Sequence, residues 1–77
     1  MRDTRANYHV IVKNVMGEVL QEYTRFMSSC GIAAMRKYAL NKAQDIEYPY
    51  IRIYKTTQNK TIEYLYMPVL GLWVKCH

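Results

Sequence analysis

Apolar positions change rhythm along this chain, and each change marks an element. Tyr8 to Val15 (YHVIVKNV) is rich in β-branched residues and reads as an opening strand. Gly17 follows and supplies the positive φ that a tight turn needs. Glu18 to Met27 (EVLQEYTRFM) fits two periods. As a helix it places Val19, Leu20, Tyr23, Phe26 and Met27 on one stripe. As a strand it forms a hairpin with the first segment, although both its faces come out mixed. The short connection at Gly17 and the run Tyr23-Thr24-Arg25-Phe26 favour the strand.

Ser28 and Ser29 are candidate N-caps for a helix predicted over Gly31 to Asp45. Its apolar stripe, Ile32, Met35, Ala39, Ala43 and Ile46, is expected to face a sheet. Arg36 lies at the edge of that stripe, with its stem packed and its guanidinium reaching water. Tyr48-Pro49 ends the helix, because a residue before proline is pushed out of the α region. Tyr50 to Lys55 (YIRIYK) and Thr61 to Met67 (TIEYLYM) then alternate as strands around a polar TTQNK turn. A turn centred on Gln58-Asn59 pairs Ile53 with Tyr64 and Ile51 with Tyr66. Ile51, Ile53, Ile62, Tyr64 and Tyr66 then form the core side, and Arg52, Tyr54, Glu63 and Leu65 the other. After Pro68 the apolar tail VLGLWVKC adds a short edge strand or packs across the end of the sheet.

The expected architecture is one α+β domain over residues 1–77: a small single-layer antiparallel sheet with one helix on one face. Its order is β-β-α-β-β, with or without a short C-terminal extra strand, or β-α-α-β-β if the second segment is helical. Seventy-seven residues lie near the lower limit for folding on one core, but the 51% apolar content makes a compact core attainable. Such a core leaves about 3–5 kcal/mol of net stability, so added burial against a partner or a second copy fits its size. The chain opens on Met1 without a linker or low-complexity run and reads as a complete small reading frame. Residues 1–7 are polar and charged and no apolar h-region follows them, so no secretory signal is expected. The longest apolar run, Met67 to Val74, is broken by Pro68 and Gly71 and is too short to cross a bilayer. A cytoplasmic protein without a membrane contact is expected, with Cys30 and Cys76 as reduced thiols.

Charge and candidate chemistry narrow the function further. Eleven Lys and Arg against six acids give +5, a field that attracts nucleic acid, acidic proteins or anionic lipid without choosing among them. His9, Cys30, Cys76 and His77 are the soft ligands, and none stands at a metal-binding spacing. Ser28-Ser29 lacks a nucleophile-elbow context. Gly17, Gly31 and Gly71 are too far apart for a phosphate loop. Cys30, near a helix N-terminus whose dipole favours a thiolate, is the one feature with chemical promise. A buried cysteine facing the sheet is nevertheless the commoner outcome. No enzyme, metal or cofactor is expected.

Surfaces remain. Eight tyrosines are a heavy load for this length, and tyrosine is enriched at interfaces. Arg52, Tyr54 and Lys55 with Lys60 in the adjoining turn make a basic and aromatic patch. Lys13 extends it if the first strand neighbours this hairpin, and Tyr48 and Tyr50 flank Pro49 as further exposed candidates. Two functions follow. The first is a stoichiometric inhibitor or adaptor of the kind phages and mobile elements encode, docking on a host protein complex such as a CRISPR nuclease. The second is direct binding of single-stranded nucleic acid by the patch, with cations for phosphates and rings for bases. The sheet edge or the tail around Leu70, Leu72 and Trp73 also offers a homodimer contact.

Overall fold

A computed structural model describes residues 5–58 and 60–76. Strands β1 (Arg5–Lys13) and β2 (Val19–Ser28) precede helix α1 (Ile32–Lys42), and β3 (Tyr50–Thr56), β4 (Thr61–Met67) and β5 (Leu72–Cys76) follow it. The five strands form one antiparallel sheet in the order β2-β1-β3-β4-β5. The α+β order read from the sequence is therefore present. The second segment is a strand, and the apolar tail supplies a fifth.

β1 starts at Arg5, earlier than Tyr8, and stops at Lys13, short of Val15. Asn14 causes the early stop. Its side-chain oxygen accepts the Met16 and Glu18 N–H groups at 2.9 and 3.0 Å, and its amide donates to the Glu18 carboxylate at 3.0 Å. This side chain replaces the ladder with a turn that Gly17 completes at φ 84. Immediately beyond the turn the register slips. Val12 pairs with Gln21 but Lys13 with Val19, so Leu20 is the extra residue of a bulge. The bulge explains why the faces of this segment looked mixed. Tyr23, Arg25 and Met27 share the side of Val10, Tyr8 and Ala6, while Val19 and Phe26 share the opposite side with Lys13 and Asn7.

Helix α1 covers the side that carries Ala6, Tyr8, Val10, Val12, Ile51, Ile53 and Tyr64, all of them buried. The predicted stripe meets it: Met35, Ala39 and Ala43 are fully buried, and Ile32 and Ile46 pack at the margin. The expected serine cap is corrected. The helix begins after Gly31 with no side-chain cap, and the Ser28 hydroxyl instead accepts the Cys30 N–H at 3.2 Å in the preceding turn. The helix also ends at Lys42, before Asp45, and short turn bonds follow from Gln44 N–H to the Asn41 carbonyl and from Ile46 N–H to the Ala43 carbonyl. Cys30 is exposed and does not face the sheet, and both Cys30 and Cys76 are free thiols. Arg36 is half-buried, with its guanidinium 5.1 Å from the Tyr64 ring and 5.6 Å from the Trp73 ring, so it stacks where free reach into water was expected. The pairings Ile53–Tyr64 and Ile51–Tyr66 are as predicted. Asn59, at the centre of the predicted turn, and His77 lie outside the described residues.

Candidate functional site: the uncovered face of the sheet

With one helix for five strands, one side of the sheet has no layer over it among the described residues. Antiparallel sheets tolerate this when the outward residues are polar, so the informative positions are those that are not. Successive rows across the strands show a graded surface. Thr24, His9, Tyr54, Glu63 and Cys76 form one row, and Glu22, Ile11, Arg52, Leu65 and Val74 the next. A hydrogen bond and an ion pair bridge these rows diagonally, His9 Nε2 with Glu22 Oε2 and Arg52 Nε with Glu63 Oε2, both at 2.8 Å. The His9 and Tyr54 rings lie 6.2 Å apart beside them. The Arg52 guanidinium is held above its ordinary pKa first by a hydrogen bond with Tyr54, against opposing burial, and then by the charges of Tyr54 and Glu63.

Beyond this polar belt the surface turns apolar. Lys13 pairs with Val19 and Tyr50, and Met67 pairs with Leu72. A groove of about 360 Å³ opens here, lined by Ile11, Lys13, Val15, Tyr50, Leu65 and Met67 among others. The β1–β2 and β4–β5 turns both project from this end of the sheet. They carry Val15, Met16, Val69 and Leu70, each more than 60% exposed, which is unusual for side chains of this kind. Gly71, at φ 68, lets the second turn close. The opposite end is polar, with Asn7, Thr56, Thr57 and Gln58 around Arg5 and Phe26.

The structure brings together four of the seven residues singled out from the sequence. Lys13, Tyr50, Arg52 and Tyr54 share the uncovered face, and Lys13 does extend the set because β1 neighbours β3. Lys55 is separated from them. It pairs with Tyr8 and Ile62 on the helix side, because strand alternation sends Arg52 and Lys55 to opposite faces. Lys60 is exposed at the far end, where its carbonyl accepts the Thr57 N–H at 2.9 Å. Tyr48 is exposed in the loop before β3 at φ 52, a strained conformation for a tyrosine. The expected basic and aromatic platform is therefore divided between two faces, and its Arg52 is already held by Glu63. The groove itself went unread. Its signal was an outward register on β4 that reads Glu63, Leu65, Met67 and so becomes apolar towards one end.

Among the described residues no three His, Cys, Asp or Glu side chains gather as a metal site, and no helix is long and apolar enough to cross a membrane. No family model, curated protein or solved structure matches this chain.

Proposed function

We propose that this protein is a non-enzymatic binding module that docks on a protein partner through the apolar end of its uncovered sheet face. The observation that carries the reading is the groove between Ile11, Tyr50, Leu65 and Met67, with four exposed apolar turn residues projecting beside it. Its size admits one or two large side chains. Hot spots of protein interfaces have this form: an apolar pocket for an anchor, surrounded by side chains that exclude water. Lys13 lines the groove and is exposed, which selects a partner whose apolar protrusion is flanked by acid. The polar pairs His9–Glu22 and Arg52–Glu63 across the middle of the face keep the rest of it solvated and limit docking to one end.

The first class of partner to test is a host complex that handles nucleic acid, on which the chain would act as a stoichiometric inhibitor or adaptor. Protein captured from nuclease-treated lysate of the source cell would be purified and titrated by calorimetry against the wild type and Met67→Glu. We expect one-to-one binding that survives nuclease and weakens at least tenfold in the variant. Capture that vanishes with nuclease, or binding unchanged by Met67→Glu, would overturn the reading. Sedimentation of the chain alone supplies the second control: a dimer disrupted by Met67→Glu would assign the groove to a second copy.

A further inference from the structure

The net charge of +5 is not spread evenly. Arg25, Lys55 and Lys75 pair with Tyr8 or Tyr64 and so share the helix side, where α1 adds Arg36, Lys37 and Lys42. Against these six stand two acids, Asp45 and Glu47, in the segment after the helix. The uncovered side has Arg5, Lys13 and Arg52 against Glu22 and Glu63. Among the described residues the carboxylates of the uncovered side are both engaged, Glu22 with His9 and Glu63 with Arg52. The positive field therefore belongs to the helix side, where six cations against two acids leave an excess of four.

Aromatic rings organise several of these cations. Arg25 lies 4.1 Å from the Tyr38 ring centre, Arg36 lies over Tyr64 and Trp73, and the Lys42 ammonium sits 5.4 Å from the Tyr23 ring centre. The exposed Arg25 guanidinium, held over the Tyr38 ring, keeps its N–H donors for an anion and loses less freedom when it binds one. The same geometry occupies the ring faces, so stacked bases are not what this surface takes.

We propose that the helix side binds the phosphate backbone of nucleic acid without reading its sequence. Two features favour this ligand over other anions. The cations are spread from β2 at one edge, over α1, to β5 at the other, about 19 Å at the usual strand spacing, a span suited to a polymer of phosphates. Exposed aliphatic side chains that would enter a bilayer, such as Val15, Met16, Val69 and Leu70, project from turns at one end of the sheet and are not interleaved with these cations. This surface is separate from the docking groove, so it stands or falls without it.

The test is fluorescence anisotropy with a labelled mixed-sequence DNA duplex over a range of salt. Neutralising four phosphates predicts an affinity loss of about two orders of magnitude between about 50 and 200 mM salt. Lys37→Glu/Lys75→Glu should lose binding at least tenfold, while Arg5→Glu/Lys60→Glu, equal in charge, should retain it, as should Met67→Glu. Single Lys37→Ala and Lys75→Ala variants, both at exposed positions, should each lower the salt slope by about 1. Circular dichroism checks the fold of each. Equal loss in the two charge-matched variants would overturn the proposal, because net charge alone would then explain binding. So would absent binding at about 50 mM salt, or tighter binding to polyglutamate or anionic vesicles than to DNA.

Discussion

Replacing Tyr8 by phenylalanine removes a single oxygen from the core and tests how the sheet is tied to the helix. The Tyr8 ring is fully buried in the middle of the sheet, and its hydroxyl donates to the Ser28 carbonyl at 2.7 Å, joining β1 to the turn before α1. A neutral hydrogen bond of this kind contributes about 0.5–1.5 kcal/mol net. The structure places this case in the lower half of that range. The Ser28 carbonyl also accepts the Gly31 N–H at 3.0 Å, so the substitution leaves no orphaned acceptor. The ring keeps its packing, and no cavity forms. The expected loss is about 0.5–1 kcal/mol, and for a domain of this size each kcal/mol lowers Tm by about 4–8 °C. Urea unfolding followed by circular dichroism should show a lower midpoint with an unchanged m-value. A loss above about 2 kcal/mol would mean that Ser28 is left unsatisfied, and a stabilised variant would refute the hydrogen bond.

Met35, fully buried on the sheet-facing side of α1, predicts a larger effect. Met35→Ala should cost about 2–5 kcal/mol, as much as the whole stability of such a domain, and a cooperative melt near the wild-type temperature would refute this account of the core. Gly71→Ala isolates backbone strain, since φ is 68 and an added Cβ meets no atom within 4 Å. It should cost about 1–2 kcal/mol in urea midpoints, and a neutral result would exclude a left-handed Gly71. Tyr23 gives an alkaline signature. Burial first, and then Tyr38, push its pKa up to about 12 against the opposing charge of Arg25. Above its ordinary value of 10.0 the unfolded chain sheds this proton while the folded protein keeps it, so stability falls as pH rises towards about 12. Tyr23→Phe should flatten the decline between about pH 10 and 12, as read from unfolding midpoints; parallel profiles would refute it.

Local patterning carried most of the fold. Alternation in β3 and β4 predicts both their pairing and their core side, because a one-residue slip would turn every buried side chain outward. The stripe Ile32, Met35, Ala39, Ala43 and Ile46 predicts which face of α1 is buried for the same kind of reason. Errors fell where a local cue had two readings. Asn14 and the Leu20 bulge shifted the first hairpin because a side chain competed with the ladder, an outcome that depends on the geometry of the closed turn. Ser28 looked like a helix cap, yet its hydroxyl serves the turn one step earlier.

What the residues alone determined is the class of protein: a small basic α+β domain with an apolar core and no motif for catalysis. Only the tertiary structure decided its faces. Lys55 follows Tyr54 directly in the chain but points the other way, whereas Lys13 and Tyr50 are remote in sequence and adjacent across β1 and β3. Strand order, which depends on the crossover through α1, put Ile11, Leu65 and Met67 around one groove and gathered Arg25, Lys55 and Lys75 on the opposite side. Composition counts charges and rings, but a binding surface depends on which of them share a face, and that is set by long-range pairing.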